Sequence, residues 1–111
     1  MPDPTRIAVV GFGLIGRRHA EVIRRAPYLS LAAIVESSQE GFITAQDQGH
    51  PAFKTLDDML ATVHPDGVVL ATPTPLHLEQ GLACVKAGCP VLIEKPITVT
   101  SADARKLTDA A

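Results

Sequence analysis

With 111 residues, 46% hydrophobic content and a formal net charge of −2, the chain has the size and composition of one folded domain. Its ten Lys and Arg residues are scattered, and Tyr28, Phe12, Phe42 and Phe53 are its only aromatics, which excludes the basic, stacking surface that a nucleic acid needs. No apolar run approaches the ~20 residues of a membrane span, and Met1-Pro2-Asp3-Pro4 lacks the basic and apolar regions of a signal peptide, so a cytoplasmic location is expected.

Strand-like runs alternate with helical patterns from the start of the chain. Arg6 to Val10 leads into the turn Gly11-Phe12-Gly13-Leu14-Ile15-Gly16. A helix follows, in which Ile15, His19, Val22, Ile23 and Ala26 form one apolar face and Pro27 is the stop. Leu31 to Glu36 is the second strand. Ser37, with Glu40 three residues later, has the pattern of a capping box opening a second helix that Gly49-His50-Pro51 stops. After a brief Ala52-Phe53 strand, a third helix begins at Thr55, with Asp57 and Asp58 complementing its dipole, and ends before His64-Pro65. Gly67 to Ala71 and Val91 to Glu94 are the fourth and fifth strands. The helix between them, Leu76 to Ala87, carries Leu78, Leu82 and Val85 on one face and stops at Gly88. A fifth helix starts near Thr100 or Ser101. Cys84 and Cys89 have neither metal-ligand spacing nor a histidine pair, so they read as small buried residues and no metal site is expected.

Strands alternating with helices predict an α/β fold with a doubly wound parallel sheet, the Rossmann arrangement. Right-handed crossovers give strand order 3-2-1-4-5. The sixth strand that usually completes this order is missing, and the last helix reaches Ala110-Ala111 without a capping residue. Residues 1–111 are therefore expected to be a dinucleotide-binding domain from which a C-terminal substrate domain is absent.

In such a sheet ligands bind beyond the carboxyl ends of the strands, where strand order reverses. The glycine turn fits a dinucleotide there: Gly11 supplies the tight turn, Gly13 allows the pyrophosphate to approach the main chain, and Gly16 lets helix and strand pack closely. The phosphates would lie over free N–H groups at the helix N-terminus, contacting the turn residues Phe12, Leu14 and Ile15 as well. Glu36 lies 20 residues beyond Gly16, at the tip of the second strand. There a carboxylate accepts hydrogen bonds from a free ribose 2′-hydroxyl and repels a 2′-phosphate, which favours NAD. Ser37 and Ser38, with Arg17 or Arg18 in reach, keep NADP possible. Thr72-Pro73, after the fourth strand, either crosses the cofactor or makes a plain turn. His77 either shapes the nicotinamide end or caps the chain locally.

Glu94-Lys95-Pro96 at the end of the fifth strand, Thr72-Pro73 with His77 four residues past the proline, and the glycine turn together resemble the Gfo/Idh/MocA oxidoreductases. The resemblance covers essentially the whole chain but only the N-terminal domain of such enzymes. It implies hydride transfer between a nicotinamide ring and a hydroxyl- or carbonyl-bearing carbon of a sugar, inositol or similar small substrate. It also implies Glu94 on the nicotinamide-side ribose, Lys95 at the reacting oxygen, and a full-length protein that is a homo-oligomer. Lys95 suits that place on physical grounds too: partial desolvation and the charge of an oxidised nicotinamide lower the ordinary lysine pKa of ~10.4 towards the range of efficient proton transfer. The alternative is a non-catalytic NAD(P)-binding sensor of the same fold. Methyl transfer from S-adenosylmethionine, which also uses a glycine turn and a following acid, fits the Glu94-Lys95-Pro96 sequence poorly.

Overall fold

The computed structural model describes residues 3–93 and 101–110. Five strands, β1 (Thr5–Val10), β2 (Leu29–Val35), β3 (Ala52–Phe53), β4 (Gly67–Leu70) and β5 (Val91–Ile93), form one parallel sheet in the order β3-β2-β1-β4-β5. This is the predicted order. β1 and β4 pair from Ile7 opposite Gly67 to Val10 opposite Leu70, so their carboxyl ends lie side by side at the point where the winding reverses. Ala32 is the extra residue of a β-bulge between β1 and β2, across which Ile7 faces Leu31 but Ala8 faces Ala33.

Among the described residues five α-helices flank the sheet: α1 (Leu14–Arg25), α2 (Gln39–Asp47), α3 (Leu56–Val63), α4 (His77–Lys86) and α5 (Ser101–Ala110). Two buried clusters sandwich the sheet. Val9, Ile34 and Val69 pack with Ala20 and Ile23 of α1 and Ala45 of α2, while Ala8, Val10, Ala33, Val35, Val68 and Leu70 pack with Met59 of α3 and Cys84 of α4. Strands covered on both faces must be apolar on both, which is why the runs in β1 and β4 do not alternate. Cys84 and Cys89 are free and buried, and burial, with Cys89 nearby, pushes the Cys84 thiol up to about 12.

Three sequence expectations are corrected. The inward face of α1 is Gly16, Ala20 and Ile23; Ile15 is 44% exposed and Val22 66% exposed. Small residues let the helix axis approach the sheet, so the contact line follows Gly16 and Ala20 in preference to the bulkiest side chains. The second correction concerns α2, which is capped by Ser38, whose hydroxyl accepts from the Gly41 N–H at 3.1 Å. Ser37 therefore stands outside the helix, and the predicted box with Glu40 does not form. Third, β2 starts at Leu29 and ends at Val35, leaving Glu36 just past the strand.

Candidate cofactor site

The carboxyl ends of β1, β2 and β4 open onto a cleft of about 700 Å³ lined by Gly11, Gly13, Leu14, Ile15, Glu36, Ser37, Thr72 and Pro73 among others. That volume suits a bound small molecule, for which sites run ~300–1,000 Å³. Eight of the residues expected at a cofactor thus line one cleft. Three others lie behind it. Phe12 is 2% exposed with its ring under the Arg17 guanidinium, Gly16 is buried beneath the turn, and His77 is 1% exposed with its ring turned onto the main chain. Glu94 and Lys95 fall outside the described residues.

The glycines divide the work. Gly11 has φ +96°, a conformation that L side chains rarely adopt, and a Cβ there would lie 2.8 Å from the Ala71 carbonyl oxygen. A Cβ on Gly16 would lie 1.7 Å from the Gly11 carbonyl oxygen. Both are therefore required by the fold itself. A Cβ on Gly13 would meet nothing within 4 Å, and its φ of −78° is ordinary, so the protein alone does not require glycine at this position. What glycine leaves there is open space over the start of α1. That helix has no side-chain cap and no acidic residue in its first turn, so its N–H groups face the cleft without a competing carboxylate. The pocket fits an anionic group close to the main chain.

Glu36 closes the other end. Its carboxylate accepts the Phe12 N–H at 2.7 Å and the Ser38 N–H at 2.9 Å, joining the glycine turn to the start of α2. Burial pushes the carboxyl up, but the hydrogen bonds from Phe12 and Ser38, with the Arg17 charge, outweigh it and hold the pKa below the ordinary carboxylate value. At neutral pH the group is a carboxylate. The geometry requires Gly41, because a Cβ there would lie 2.5 Å from the Glu36 Cγ. Each carboxylate oxygen keeps a lone pair beyond the bond it already accepts, so a ribose hydroxyl can still donate to it.

Several cleft residues escaped the sequence reading. Lys54, Thr55, Leu56, Leu76 and Gln80 also line the cleft. The signal for Lys54 was available, since it follows β3 and every strand of a parallel sheet delivers its next residue to the same edge. Gln80 gave no such signal, because its place depends on how far α4 turns after Pro75.

The chain matches across residues 5–111 the model of the Gfo/Idh/MocA group, described as an oxidoreductase family with an NAD-binding Rossmann fold. It belongs to that family. The inositol 2-dehydrogenase of Rhodococcus erythropolis is 40% identical over 101 residues, 88% of this chain and 29% of that protein. The D-glucoside 3-dehydrogenase of Escherichia coli is 32% identical, over 98% of this chain and 32% of its own length. Among solved structures, the WlbA dehydrogenase from Bordetella pertussis in complex with NADH and UDP-GlcNAcA superposes with a TM-score of 0.92 at 32% identity, covering 96% of this chain and 33% of that one. The chain spans about a third of the length of the relatives it matches.

Proposed function

We propose that the chain is the cofactor-binding part of an NAD-dependent oxidoreductase that moves a hydride between the nicotinamide and a hydroxyl- or carbonyl-bearing carbon of a sugar, inositol or related polyol. The observation that carries this reading is the division among the glycines: two are demanded by the fold, and Gly13 only by something that approaches the main chain from the cleft. A pyrophosphate over the uncapped start of α1 is that something. Leu14, at 66% exposure, lies on the cleft wall as an apolar contact for the cofactor. The Glu36 carboxylate holds the adenosine ribose and repels a 2′-phosphate, and Ser37 lies beside it on the same wall. Thr72 and Pro73 form the opposite wall, beneath the ribose and phosphates. The bound cofactor supplies the hydride or accepts it.

Lys95 exchanges the proton at the reacting oxygen, and Glu94 takes the nicotinamide-side ribose. These two roles rest on the family relationship and on the Glu94-Lys95-Pro96 sequence. The substrate class follows the names of the relatives, inositol and glucoside dehydrogenases among them. The remaining two-thirds of such proteins would hold the substrate and the subunit contacts of a cytoplasmic homo-oligomer. Titration with NADH, NADPH and S-adenosylmethionine tests the cofactor reading. NADH should bind at least about tenfold more tightly than NADPH, a difference of roughly 1.4 kcal/mol, and preference for S-adenosylmethionine would contradict it. In a protein that includes those remaining two-thirds, Lys95→Ala should slow the dehydrogenation of a panel of inositols and sugars by roughly 10²–10⁴ while NADH affinity stays within a few-fold. An unchanged rate would remove Lys95 from the proton transfer.

A further inference from the structure

Thr72 is held from several sides. Its carbonyl oxygen accepts the His77 Nε2–H at 2.7 Å, its hydroxyl donates to Gln80 Oε1 at 2.5 Å, and its methyl Cγ2 lies 3.0 Å from where a Gly11 Cβ would stand. His77 and Gln80 are three residues apart on α4, so one face of one helix makes both hydrogen bonds. Both bonds fall on the residue that faces the glycine turn across the mouth of the cleft. The Ala71 carbonyl and the Thr72 methyl fit against Gly11 only because that residue has no side chain. The two loops therefore have one mutual spacing, and α4 fixes it.

We propose that Gln80 is a positioning residue for cofactor binding: acting through the Thr72 hydroxyl, and with His77 on the Thr72 carbonyl, it locks the Thr72-Pro73 wall at the distance from the glycine turn that the pyrophosphate and ribose require. This rests on the cofactor site proposed above. A wall already in its bound position does not have to be ordered when the ligand enters, so losing the lock weakens binding through the position of the wall. Gln80 thereby links a hydrogen bond within the protein to nucleotide affinity.

A double-mutant cycle on the whole chain tests this, with NADH affinity as the readout and the apo melting temperature measured alongside. Thr72→Val and Gln80→Leu should each weaken NADH binding by about tenfold, the worth of one hydrogen bond, and Thr72→Val/Gln80→Leu should be no weaker than the poorer single variant. Thr72→Ser, which keeps the hydroxyl, should stay within about threefold of the unmutated chain. Losses that multiply to about a hundredfold would show Gln80 acting independently of Thr72 and overturn the inference. A lower melting temperature with unchanged NADH affinity would overturn it as well, leaving Gln80 a structural residue only. Should Gln80→Leu fail to fold, the comparison of Thr72→Val with Thr72→Ser decides: equal affinities overturn the inference, and a tenfold difference supports it. If the unmutated chain does not bind NADH, the cofactor reading itself fails. Intact NADH binding that none of the variants moves fells this inference alone.

Discussion

Glu36 joins two walls of the cleft before any ligand arrives, since its carboxylate takes one N–H from the glycine turn and another from the start of α2. Replacing it with Gln keeps the shape but loses one charged acceptor. We expect Glu36→Gln to lower stability by about 1–2 kcal/mol and to narrow the preference for NADH over NADPH, checked by urea unfolding and paired titrations. The pH dependence has a fixed sign. Because the folded-state pKa lies below the ordinary carboxylate value, the stability from Glu36 is present in full above the unfolded pKa of ~4.3 and is lost as pH falls through the folded value. Melting curves collected from pH 7 down to acid should show this loss for the unmutated chain and a smaller one for Glu36→Gln. A thiol probe should report the opposite of reactivity at Cys84, which is fully buried and held as the neutral thiol, so labelling in the native state should await unfolding.

At the scale of elements, the start of α1 is where sequence and structure agree on the residues and disagree on the face. The glycine pattern marked Gly16 as the point of close packing, yet the apolar spacing assigned the inward face to Ile15 and Val22. The bulky positions win in a periodicity count because it weighs hydrophobicity; the sheet selects the residues that let the backbone come near. Ile15 consequently lines the cleft, and Val22 lies with Ile7, Val69 and Leu92 along an apolar groove beside β5. Gly16→Ala should destabilise the chain by about 3 kcal/mol or more in urea unfolding, since its Cβ collides with backbone that cannot move without breaking the turn. The C-terminus of α3 shows the reverse case. His64 has φ +49°, and Arg6 donates to the carbonyls of Val63 and His64, so this end is secured by a residue of the central strand β1. His64→Gly should raise stability by about 1 kcal/mol by removing the left-handed strain of a side chain.

For the whole molecule, topology was legible because it follows from alternation and handedness: short doubly apolar runs separated by helices leave few arrangements, and the chain adopts the predicted one. The same topology made most of the site legible, because it delivers Gly11, Glu36 and Thr72 to one edge from separate strands. What could not be read were the details set by packing between elements. Ser38 caps α2 because the Glu36 side chain lies across Gly41, and His77 faces inward because α4 turns its ring onto Thr72. We propose that the cleft binds a dinucleotide through the main chain of the glycine turn, and Gly13 is the residue whose only stake is that ligand. The direct measurement is the NADH dissociation constant of Gly13→Ala beside its melting temperature. The melting temperature of Gly13→Ala should stay within a few degrees of the unmutated chain's, as expected for changes below ~0.5 kcal/mol, and its NADH affinity should be at least about tenfold weaker. NADH affinity equal to that of the unmutated chain would contradict it.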